Sequence, residues 1–144
     1  MTTIMPSHKC FDDCIDALDD ALQETGPDWV REHLRVVHAI CLAPEGPDAG
    51  TPFAHGWVEV NRQYVVQCGL IDGKREFYIC RRRELYALLR VQLSTVYTLD
   101  EVWLKNRETN HVGPWEPAYR DLCSKDHKVF QEVVHGNSEA SVDS

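Results

Sequence analysis

The strongest constraint in this chain is the period-two alternation from Phe53 to Cys68, FAHGWVEVNRQYVVQC. Strands that bury one face alternate apolar and polar side chains, and a short polar break between two such runs makes a hairpin. The pattern predicts strands over 53–60 and 63–68 with Asn61 and Arg62 as the turn. A two-residue turn sets His55 across from Cys68, and a turn one residue longer sets it across from Gly69; both registers are open. Gly69 is expected to end the second strand, and Asp72 and Gly73 turn the chain so that Arg75 to Cys80 returns as a third antiparallel strand.

The flanking segments build on this hairpin. Ser7 is placed to cap a helix whose apolar stripe is Phe11, Cys14, Ile15, Leu18, Ala21 and Leu22, with Asp12, Asp16, Asp19, Asp20 and Gln23 opposite. Gly26 and Pro27 break it, and DWVREHL allows one or two further helical turns. RVVHAICL, residues 35–42, is β-branched and apolar on both faces, the composition of a central strand. The loop APEGPDAGTP holds three prolines and two glycines and delivers the chain to Phe53. A helix is predicted over 81–91, and Thr98 with Glu101 forms a capping box for another that Asn110 closes. HVGPWEP reads as a rigid turn with Trp115 plugging the body, and a last short helix is expected within 119–134. From Gly136 the tail has nothing to bury.

These elements predict an α+β fold: an N-terminal helix packed on an antiparallel sheet of three or four strands, followed by two or three helices. The expected organisation is one globular domain over 1–135 and a disordered tail over 136–144. A net charge of −8 argues against a general nucleic-acid partner, because neutralising phosphates needs a basic face. No stretch approaches the roughly 18 apolar residues that span a bilayer, so no membrane partner is expected. MTTIMPSHK has no apolar secretory core, so the six cysteines are read as reduced thiols and the protein as cytoplasmic.

The chemistry-bearing set is Cys10 or Cys14 with His55 and Gln67. A thiol attacks as thiolate, which the positive end of a helix favours, and Cys10 stands in a first turn; Cys14 lies one turn deeper and reads more like core. A base must reach the thiol, and an amide or carboxylate must orient the imidazole through its other nitrogen. Asp12 and Asp13, close to Cys10, work against thiolate formation. Packed, inert thiols are the competing account of the same residues.

The succession VVHAI, Pro/Gly loop, FAHGWVEV, strand, Tyr/Leu-rich helix and GPWEP resembles a group of small uncharacterised proteins of bacteria and phages. Their His-Ala-Trp-Val-Glu strand is similar to the histidine strand of the papain-like and transglutaminase-like superfamily. The resemblance covers roughly residues 35–117 and implies a reduced papain-like core. It also implies His55 as base, Gln67 as orienting residue and Cys10 or Cys14 as nucleophile. Gly56 stands where those relatives carry Ala, and Gln67 where they carry Asp.

Other residues suggest weaker readings. Cys10 with Cys14 and Cys123 with His127 are helical i, i+4 pairs that together would suit a structural zinc, with His8, His38, Cys41 and His111 as further ligands, although the spacing is not that of a zinc knuckle. Lys74, Arg75 and Arg81 to Arg83 could clamp an anion but read first as a solvated face. Glu59, two residues from His55 on the same strand face, could hydrogen-bond near the site but reads first as the exposed end of its strand. Two functions of different kind are left. One is a cysteine hydrolase or acyl-transferase acting on an amide or isopeptide bond of a peptide or protein substrate, without cofactor or metal. The other is a non-catalytic protein-binding or accessory module, with or without structural zinc.

Overall fold

The computed structural model describes residues 4–6 and 9–122, and the architecture is α+β. The elements run β1 (Ile4–Pro6), α1 (Cys10–Thr25), α2 (Pro27–His33), β2 (Leu34–Leu42), β3 (Pro52–Val60) and β4 (Tyr64–Ile71). They continue with β5 (Lys74–Arg81), α3 (Arg82–Leu89), β6 (Leu93–Tyr97) and α4 (Leu99–Thr109). The chain is helical again over 117–122. Ser7, Cys123, His127, the rest of the expected last helix and the tail from Gly136 lie outside the described residues, and Lys9 occupies the N-cap of α1.

Among the described residues the sheet has six strands rather than three or four, and every pairing is antiparallel. The additions are β1 and β6, both too short to announce themselves by alternation. As expected, β2 is interior, between β3 and β6. Its two faces carry two separate cores. On one, Val36, Val58 and Tyr97 pack with Cys14 and Leu18 of α1, Val30 of α2 and Val102 of α4; on the other, Val37, Ala39, Trp57 and Val65 pack with Leu85 and Leu89 of α3.

Val60 pairs with Tyr64, so the hairpin turn is one residue longer than Asn61–Arg62 and includes Gln63. Asn61 and Arg62 both take positive φ, 53° and 55°, and Gln63 N–H bonds Val60 C=O at 3.0 Å. Extrapolated, this register would bring His55 opposite Gly69, but the β3–β4 ladder stops at Val58–Val66. Nor does Gly69 end β4, which continues to Ile71. β5 takes one edge of β4 along its whole length, so β3 and β1 divide the other edge. β3 holds Tyr64–Val66 and β1 holds Pro6's partner Gly69 through Ile71. The sheet therefore forks at Gln67 and Cys68.

The capping box at α4 is present in both directions, and Asn110 closes the helix in the left-handed region at φ 59°. Trp115 is buried in the core, as its rigid segment predicted. Two surface readings are corrected. Glu59 is fully buried, accepting from Trp57 Nε1 at 2.8 Å and from the Tyr86 hydroxyl, with Arg62 Nε at 2.9 Å and Arg82 Nε at 3.2 Å. Arg82 is accordingly no member of a solvated basic face. A buried carboxylate needs such partners, and four donors from β3, the turn and α3 converge on it.

Candidate active site

The fork between β3 and β4 is closed by the first turns of α1. Gly56 makes this approach feasible: a β-carbon there would lie 3.0 Å from Phe11 Cδ1 and 3.4 Å from Cys14 Sγ. The result is a narrow pocket, with room for about one water molecule. It is lined by Cys10, Asp13 and Cys14 of α1, His55, Gly56 and Trp57 of β3, Val66, Gln67 and Cys68 of β4, and Phe77 of β5. All four residues singled out from the sequence thus border one cavity, although α1 and β4 are separated by α2, β2 and β3 along the chain.

His55 is half-buried, its ring between those of Phe53 and Trp57, whose centroids lie 5.9 Å and 5.5 Å away. Its Nε2 is 2.6 Å from Gln67 Oε1, and Gln67 Nε2 donates to the Tyr78 hydroxyl at 3.1 Å. Tyr78 is the residue paired with Gln67 across the β4–β5 ladder. With the amide nitrogen committed to Tyr78, the amide oxygen accepts from Nε2–H, leaving Nδ1 of neutral His55 as the basic nitrogen. Burial lowers the His55 pKa, while the Gln67 hydrogen bond and the charge of Asp13 pull it back up.

The two candidate thiols differ. Cys14 is 3% exposed, belongs to the apolar core, and has its pKa raised well above the ordinary value, first by burial and then by Cys10, Asp13 and Asp12. Cys10, the first residue of α1, is partly exposed. The chemistry of attack favours the second over the first. Cys41 is wholly buried under α3, with its pKa raised to about 12 by burial.

Sequence reasoning did not place three residues of the pocket's surroundings. Asp13, at 3% exposure, is buried on the pocket side of α1; its position three residues after Cys10 was the available signal. Tyr78 and Phe77 come from β5, whose register no local pattern specifies. His38, one of the extra zinc candidates, is instead enclosed by the rings of Phe11, Tyr97, Trp115 and Tyr119. Among the described residues no three His, Cys, Asp or Glu side chains are grouped to hold a metal, and no described helix is long and apolar enough to cross a membrane. No protein-family model, curated protein or solved structure matches the chain.

Proposed function

We propose that the protein is a small cysteine hydrolase or acyl-transferase of papain-like type, acting on an amide or isopeptide bond in a peptide or protein. The observation that carries this reading is the convergence of Cys10, His55 and the Gln67 amide on one pocket, with His55 Nε2 held by Gln67. In this mechanism His55 Nδ1 takes the proton of Cys10 Sγ–H, and the thiolate adds to the carbonyl carbon of the amide. The imidazolium then gives its proton to the nitrogen as the C–N bond breaks, releasing amine and leaving a thioester. Water, in a hydrolase, or a second amine, in a transferase, loses a proton to His55 as it attacks the thioester carbon. Breaking the S–C bond releases the acid or the new amide, and the imidazolium proton passes to sulfur to restore the thiol. The narrowness of the pocket suits a bond presented across its mouth rather than an engulfed ligand.

A second reading, a non-catalytic protein-binding module, is favoured by Phe77 and Ile79 of β5, which are 39% and 67% exposed beside the pocket. Alkylation by iodoacetamide at neutral pH separates the two. The enzyme reading expects one fast thiol, lost in Cys10→Ser and slowed roughly 100-fold in His55→Ala. Uniformly slow labelling of every cysteine would leave the binding module standing alone.

A further inference from the structure

Gln67 orients His55 but brings no charge to it, and a base that becomes an imidazolium during acyl transfer is held best by an anion. The fork supplies one from the opposite side. Asp13 lies one helical turn beyond Cys10 and next to Cys14, and its side chain is buried against the same pocket that His55 borders. Asp12, its neighbour in sequence, points into solvent.

We infer that Asp13 is a positioning residue for His55, the carboxylate that stabilises the protonated ring while Gln67 fixes its orientation. This inference rests on the cysteine-enzyme reading for its purpose, but the effect of the carboxylate on the ring has its own readout. The carboxylate and the amide occupy different elements, so the two halves of the task are divided between α1 and β4. The other titratable groups facing the pocket are the thiols of Cys10 and Cys14 on α1 and Cys68 on β4, with the Tyr78 phenol of β5 behind Gln67. Burial raises the pKa values of Cys14 and Tyr78, so both remain neutral while His55 titrates. Glu59, further along β3 on the face of His55, is occupied by Trp57, Tyr86 and two arginines. Asp13 is then the carboxylate that borders the same poorly hydrated pocket as His55, where one opposite charge has most effect.

The test is an NMR titration of the histidine ring carbons in the whole protein, with the His55 signal assigned by its loss in His55→Ala. Asp13→Asn, which keeps the shape and removes the charge, is expected to lower the His55 midpoint by on the order of one pH unit. Asp13→Glu should retain most of the wild-type midpoint, and Asp12→Asn should shift it far less than Asp13→Asn. If Asp13→Asn does not fold, Asp13→Ser gives the same comparison with a smaller uncharged side chain. An unchanged midpoint in the uncharged variant overturns the role of Asp13, whatever the thiols do. Iodoacetamide labelling of Cys10 is followed in the same samples: its pH profile should move with the His55 midpoint in Asp13→Asn. If instead His55→Ala leaves labelling unaltered, the catalytic reading fails while the effect of Asp13 on the His55 midpoint still stands. The two failures are therefore distinct.

Discussion

A buried imidazole without hydrogen-bond partners has only one comfortable protonation state. His38 is fully buried, and neither ring nitrogen finds a partner among the described residues. Its neighbours are aromatic rings, and Gly113, at φ +112°, passes so close that a β-carbon there would lie 2.7 Å from His38 Cε1. Burial lowers the His38 pKa to about 3, against the ordinary histidine value of 6.5. The unfolded chain therefore binds a proton that the folded protein refuses. Stability from this residue is fully present above about pH 6.5 and is lost as pH falls from there to about 3, at a limiting slope of about 1.4 kcal/mol per pH unit. His38→Leu is expected to flatten that part of the curve, as measured by urea denaturation at a series of pH values. Equal slopes for the two proteins across this window would contradict the account. The same logic separates His38 from His55: both are pushed down by burial, but only His55 has a polar partner and a nearby anion that restore basicity.

At the scale of elements, the decisive event is the seating of α1 in the fork. Gly56 has no side chain under Phe11 and Cys14, so the helix comes close enough for Cys10 and Asp13 to border the pocket with His55. Gly56→Ala must displace the Phe11 ring by a few tenths of an ångström or lift the helix, at an expected cost of roughly 1–3 kcal/mol. The accompanying effect is informative: Cys10 labelling should slow, because the thiol moves relative to His55 even though neither residue is altered. A variant as stable as the parent with unchanged labelling would mean that the fork tolerates the methyl group. Elements whose signals are local were legible in the sequence. The stripe of α1, the two halves of the hairpin and the capping box of Thr98 and Glu101 each depend on residues a few positions apart. The short strands β1 and β6 were not, because each is a strand only through a partner elsewhere in the chain, Gly69–Ile71 for β1 and Val36–Ile40 for β6. The burial of Glu59 was hidden for the same reason: alternation assigns it a face, but the donors that make that face tolerable come from the turn and from α3.

The whole molecule is what turns four residues scattered over α1, β3 and β4 into a site, so the integrity of the site should follow the integrity of the fold. The sequence named Cys10, Cys14, His55 and Gln67 by residue chemistry, yet their meeting depends on β4 exchanging β3 for β1 midway, a long-range feature with no local signature. The described cysteines report on this at different depths. Cys10 is partly exposed at the pocket, Cys14 lies 3% exposed beneath α1, and Cys41 is wholly buried beneath α3. Labelling under increasing urea, with each cysteine followed by mass spectrometry of its peptide, should divide them. Cys10 is expected to react in the native protein at a rate nearly independent of urea until the unfolding transition begins. Cys41 should react only through global opening, with a rate that climbs steeply as urea lowers the unfolding free energy. Cys14 discriminates between two kinds of molecule. If α1 and the sheet form one cooperative unit, Cys14 follows Cys41. If α1 detaches from the fork on its own, Cys14 reacts well below the transition, and at those urea concentrations the His55-dependent fast labelling of Cys10 should fade with it. The packing of Cys14 and Leu18 into the same core as Val36, Val58 and Val102 favours the single unit. Cys14 labelling far ahead of Cys41 would show that the pocket is assembled by a helix only loosely tied to the sheet.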